Sequence, residues 1–218
     1  FSLSSLLGIQ ATEGKWIAPS DANHPNTWMT FRKDIILPKR PEKAVAQIAV
    51  DSKYWLWING QLAVFEGGVK RGPTPKDTYY DEVDLAPFLQ KGKNQIAILV
   101  WYFGKEGFSH KSSGQAGLLF NLGSDETWLC RIHPAYGSAD APYPNFRLPE
   151  SNIRFDARKD MTGWQTTECP ETLGFSNALV LGTWGEAPYN KLIKRPIPQW
   201  KDFGIRSFES MRRLKGVH

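Results

Sequence analysis

Twenty-two carboxylates, four histidines and two cysteines are the groups in this 218-residue chain that could carry a reaction. Splitting a sugar linkage needs only two carboxylates, one donating a proton and one acting as base or nucleophile across the ring. Asp81, Glu82 and Asp84 cluster in "YYDEVDL", but a run of charges on a short strand reads first as a device against edge pairing. His24, His110, His133 and His218 show no H-x-x-x-H or H-E-x-x-H spacing, and no G-x-S-x-G elbow occurs. "GGVKRG" is glycine-rich, but no helix follows whose N-terminus could take an anion. Cys130 and Cys169 stand 39 residues apart without a CxxC or a histidine at metal-site spacing. Zinc is therefore set aside, and their pairing in an exported protein is left open. No EF-hand pattern occurs, so a calcium site would have to be assembled from separated loops.

Aromatic residues are the second resource, with 9 Trp, 12 Phe and 7 Tyr. The stretch "KYWLWING" from Lys53 to Gly60 alternates as a β-strand does. Tyr54, Leu56 and Ile58 fall on one face and Trp55, Trp57 and Asn59 on the other. Flat indole faces beside a polar group suit the apolar side of a pyranose. They equally suit a core layer under the long proline-rich connection of residues 134–152. The packing role is taken first for Trp55 and Trp57, with the sugar platform as the alternative.

These residues must be held by strands. "WMTFRKDIIL", "AVAQIAV", "YWLWI", "QLAVFE", "DTYYDEVDL" and "QIAILVWYF" all read as strands separated by turn chemistry. Asn59-Gly60 is a hairpin turn, because both residues tolerate positive φ. "QIAILVWYF" is apolar at every position and is expected as a central strand buried on both faces. "QAGLLFNL" and "TWLCRI" suggest a hairpin across "GSDE", with "IRFDAR" and "ALVLGTW" as the last strands. The expected organisation is one all-β domain over residues 1–204, with 205–218 as a tail or connector.

The net charge of +5 is spread thinly, its densest cluster being the terminal "MRRLKGVH". That distribution argues against a nucleic-acid partner. No run approaches the ~18 apolar residues of a membrane span. The chain begins at Phe1, and "FSLSSLLGIQ" is read as the remnant of a processed N-terminus.

The order of the pieces "YWLWINGQLAVFEGG", "YYDEVDLAPFLQKGKNQIAILVWYFG" and "NIRFDARKDMTGWQ" resembles the N-terminal β-sandwich domain of bacterial α-L-rhamnosidases. The match runs over roughly residues 28 to 200. Phe155 stands where that family usually has Tyr, and Asn152 or Ile153 where Glu is common. The resemblance implies a galactose-binding-like jelly-roll β-sandwich, periplasmic or secreted, serving as an accessory to a helical catalytic domain that these residues do not encode. It implies a non-enzymatic chain whose partner is that catalytic domain, with a plant or bacterial glycan as a further partner. The alternative is an independent carbohydrate-binding module for rhamnose-containing glycans. Catalytic and metal residues are accordingly none, no cofactor is expected, and calcium is the one ion left open.

Two long polar loops, "EGGVKRGPTPKD" and "GKEGFSHKSSG", flank the strands, and such loops on a rigid sandwich usually carry function. Arg71, Tyr79, Lys105 and His110 are the candidate contacts there, to the missing domain first and to sugar hydroxyls second.

Overall fold

Asn59 and Gly60 take φ of 53° and 80°, the consecutive left-handed pair that a two-residue hairpin turn requires. They join β4 (Lys53–Ile58) to β5 (Gln61–Gly67) in the computed structural model of the chain, which describes residues 14–68, 72–107, 110–123, 127–139 and 152–210. The Asn59 side chain secures the turn. Its Nδ2 donates to Phe88 O and Asn94 Oδ1, and its Oδ1 accepts from Gln95 N.

The apolar run lies in β7 (Gly92–Tyr102), between β4 and β2 (Thr27–Leu37) at the centre of a six-stranded sheet. Ile96, Ile98 and Val100 are almost wholly enclosed and Leu99 is 6 % exposed, as the absence of polar alternation requires. The sheet is completed by β5 on one side and by β9 (Leu129–Ile132) and β12 (Ser176–Asn177) on the other.

A second six-stranded sheet holds, in spatial order, β13 (Leu179–Thr183), β1 (Lys15–Ala18), β8 (Gly117–Asn121), β3 (Val45–Asp51), β6 (Thr78–Asp84) and β14 (Leu192–Lys194). The two sheets form a jelly-roll β-sandwich. Met29, Phe31, Leu56, Ile98 and Val100 of the first meet Ile48, Val50, Leu118 and Phe120 of the second. Each such enclosed side chain contributes roughly 1.5–3 kcal/mol through loss of contact with water. Among the described residues there is no α-helix, and no helix is long and apolar enough to cross a membrane.

Two expectations are corrected. β8 and β9 are not a hairpin: the chain crosses there from the second sheet, where β8 lies between β1 and β3, to the first, where β9 pairs with β2. β6 is not an edge strand, because β14 pairs with it in parallel, Leu192 opposite Thr78 and Lys194 opposite Tyr80. Asp81 is consequently buried rather than edge-blocking.

Candidate functional site

Alternation along β2, β4 and β7 sends one set of side chains into the sandwich and the other outward. On the outward face stand Trp28, Trp55, Trp57, Leu99, Trp101 and Phe103. Trp28 stacks on Trp55 at 5.4 Å and on Trp101 at 5.6 Å, while Trp164 meets the edge of Trp57 at 5.5 Å.

The layer is covered from far along the chain. The short hairpin of β10 (Tyr136–Ser138) and β11 (Ile153–Phe155) lays Tyr136 on Trp28, ring centres 4.0 Å apart and 13° from parallel. Behind it, residues 161–175 pack Met161, Trp164, Leu173 and Phe175 against the sheet. Two arginines hold this cover. Arg32 of β2 donates to the carbonyls of Trp164 and Thr166 at 2.9 and 3.1 Å, and Arg131 of β9 donates to Leu173 O. Burial lowers the Arg32 pKa, and the two carbonyls repay part of that loss of water. Trp55 and Trp57 are thus half-buried packing, their neighbours being Trp28 and Trp164. Residues 140–151 of the connection expected to cover them lie outside the described residues.

His133 belongs to the same layer and is 3 % exposed. Its Nδ1 accepts from Ala135 N at 3.3 Å, and its Nε2 lies 3.4 Å from Asp160 Oδ1. Burial lowers its pKa, with Asp160 opposing and Arg131 assisting. No spacing motif singles out this histidine. In the sequence it is marked only by its place directly after the strand-like run "TWLCRI".

The polar loops collect at one end of the sandwich. Asp51 pairs with Gly117, Lys53 with Trp101 and Tyr54 with Gly67, so the loops leaving β3, β5 and β7 share that end. Asp51 is fully enclosed there. Its Oδ2 accepts from Ser113 N and Ser113 Oγ, both at 2.6 Å, and from Ser112 Oγ at 3.2 Å. His110, 8 % exposed, places Nε2 3.0 Å from Ser52 Oγ and 3.4 Å from Asp51 Oδ1. The residue types are those of a nucleophilic triad, but one ring nitrogen serves both partners. A relay needs the two nitrogens on opposite sides. Ser52 is also 1 % exposed and accepts from Phe103 N, so the group anchors a loop and does not attack a substrate.

Of the four candidate contacts, Tyr79 is half-buried on β6, paired with Ile193, and Lys105 is half-buried in the loop that His110 anchors. His110 O accepts from Gly107 N at 2.9 Å, which folds that loop back on itself. Arg71 lies outside the described residues.

The second enclosed carboxylate, Asp81, accepts from Arg195 Nε at 2.5 Å through Oδ1, and from Tyr54 OH and Gly68 N, each at 2.9 Å, through Oδ2. Among the described residues, no group of three or more His, Cys, Asp and Glu comes together to hold a metal ion. Cys130 and Cys169 are free thiols on opposite faces of the first sheet. Burial pushes the Cys130 thiol up to about 11.

No protein-family model and no curated protein matches the chain. Among solved structures it superimposes on a GH78 family rhamnosidase of Bacillus sp. GL1 with a TM-score of 0.69 and 26% identity, over 85% of this chain and 20% of that one. The chain is similar to one segment of an α-L-rhamnosidase. The α-L-rhamnosidase from Dictyoglumus thermophilum gives a TM-score of 0.57 at 22% identity, over 85% of this chain and 22% of that one. That from Aspergillus terreus gives 0.56 at 18%, over 80% and 21%. The last two show a shared fold. In all three the chain spans about a fifth of the rhamnosidase's length.

Proposed function

We propose that this chain is a non-catalytic accessory domain of an α-L-rhamnosidase-like glycoside hydrolase, exported in a bacterium, packing against the catalytic domain and touching carbohydrate at its loop-bearing end. The observation that carries the reading is the match to the Bacillus rhamnosidase, which uses 85% of this chain but 20% of that one at 26% identity.

Two physical features support it. Glycoside hydrolysis needs two carboxyl groups open to the sugar. Asp51 and Asp81, the enclosed carboxylates, are each taken up by internal donors. The segment after β14 also exposes Ile197, Trp200, Phe203, Ile205 and Phe208, each at least 60% accessible. Apolar side chains concentrated in this way mark a surface that another protein surface covers. Arg195, locked to Asp81 and donating its N–H to Tyr80 O at 2.8 Å, fixes where that segment leaves the sandwich. Tyr79 and Lys105 are the polar contacts at the loop-bearing end, with His110 holding the loop of Lys105.

The test is turnover of an aryl rhamnoside by purified chain, which is expected to stay at background. Turnover abolished by changing one carboxylate of this chain would overturn the accessory role.

A further inference from the structure

Trp28 and Trp101 are register partners across β2 and β7, and both are buried, yet neither indole N–H has a hydrogen-bond partner. Two residues before Trp28, the Oδ1 of buried Asn26 is unpartnered as well. Among the described residues seven buried side-chain polar atoms lack a partner, and these three belong to one small patch. Native structures rarely leave such atoms unmet, because each has given up water for nothing. Asn26 Nδ2 donates to Ser138 Oγ at 3.2 Å. One hydroxyl serves one end of the amide, so the other end is spare whichever way the amide is turned.

The patch carries a flat surface too. Tyr136 lies 4.0 Å from Trp28 and nearly parallel to it, the relation that the apolar face of a pyranose takes to an indole. Tyr136 rides on a hairpin with three residues in each strand, which Ser138 ties to Asn26. With that ring displaced, the patch would offer one aromatic face, two indole N–H donors and the spare end of the Asn26 amide. A sugar ring with its hydroxyls, each a donor and an acceptor, matches that set. The patch also lies at the loop-bearing end, since Asn26 N donates to Phe103 O and Thr27 pairs with Tyr102.

We propose that Asn26, Trp28 and Trp101 form a binding site for a single saccharide residue, closed in this structure by Tyr136, which occupies the face of Trp28 that the sugar takes. This rests on the carbohydrate contact proposed above and gives it a place. The hairpin is then a cover, and the unliganded chain is mostly the closed form.

The experiment is calorimetric titration of L-rhamnose, D-galactose and adenosine into wild-type chain, Tyr136→Ala, and Tyr136→Ala combined with Trp101→Phe. Thermal unfolding of each variant serves as the fold control. Removing the cover raises the competent fraction, so Tyr136→Ala is expected to bind one of the sugars about tenfold more tightly than wild type. Trp101→Phe keeps a ring and deletes one donor, so in that background it is expected to lose about tenfold. Should Tyr136→Ala not fold, Ser138→Ala takes its place, because it frees the hairpin from Asn26 without touching the aromatic stack. A folded, uncovered variant that binds neither sugar overturns the site, as does binding indifferent to Trp101→Phe. Binding of adenosine in place of sugar overturns the ligand class. Wild-type sugar binding that ignores Tyr136→Ala and is lost in Lys105→Ala overturns this site while upholding carbohydrate contact through the loops.

Discussion

The central strands β2, β4 and β7 build two unlike layers on their two faces. Inward they present mostly aliphatic side chains, Met29, Leu56, Ile98 and Val100 with Phe31, against the second sheet. Outward they present indoles under a cover drawn from residues 136–138 and 153–175. Among the described residues, none of the seven unpartnered buried polar atoms belongs to an apolar side chain of the inward layer, whose polar seam holds one of them on Arg195, whereas the outward layer contains two free indole N–H groups. Aliphatic packing has no polar valence to leave over, so it can only fix the fold. Indoles pack as well as aliphatics do and still carry a donor on the rim. The same strands therefore supply stability on one side and unspent hydrogen bonding on the other.

The contrast is broken most directly at its strongest point. Phe31 is fully enclosed in the inward layer, and Phe31→Ala is expected to cost about 3–5 kcal/mol in urea unfolding. Next comes the polar seam of that layer, where Tyr54 reaches Asp81 beside Arg195. Arg195→Met leaves an enclosed carboxylate without its cation and is expected to cost about 3 kcal/mol. Adding Asp81→Asn should recover part of the loss in a double-mutant cycle. No recovery would mean that Arg195 acts by packing alone. Trp57 is half-buried on the outward face, so Trp57→Ala is expected to cost roughly half of a full burial, about 2 kcal/mol. A loss as large as that of Phe31→Ala would show the outward layer to be as rigid as the inward one.

What the sequence reveals follows the same division. Alternation in "KYWLWI" separates Tyr54, Leu56 and Ile58 from Trp55 and Trp57, and Asn59-Gly60 marks the turn, because these signals lie within a few residues. The inward layer is legible from them. Strand partners are not, since alternation tells which face a residue takes and not which strand lies beside it. β8 and β9 lie close in sequence and still join different sheets. β1 and β14 are four and three residues long, too short to show a period. The meaning of Asp81 depends on Arg195, 114 residues away. Trp55 and Trp57 are legible as outward packing, but the rings that cover them are not, because Tyr136 and Trp164 lie far along the chain from β4.

The finest probe of the outward layer is the charge of His133. Its Nδ1 accepts from Ala135 N, and burial lowers its pKa below the ordinary 6.5. The folded chain therefore prefers the neutral ring. Above pH 6.5 both folded and unfolded chains hold it neutral, and it adds no pH dependence. Below that value the unfolded chain takes up a proton that the folded one refuses, so stability falls as pH falls until the folded pKa is passed. The effect is the smallest of the four, because Asp160, 3.4 Å from Nε2, partly favours the charged ring. The comparison is between urea midpoints of wild type and His133→Asn at pH 7.5 and pH 5.5, the asparagine placing an acceptor near the position of Nδ1 without titrating. Wild type is expected to lose more than the variant on acidification. Equal losses would show that protons enter the fold elsewhere and that the outward layer tolerates a charged ring, which would weaken its contrast with the aliphatic layer on the other face.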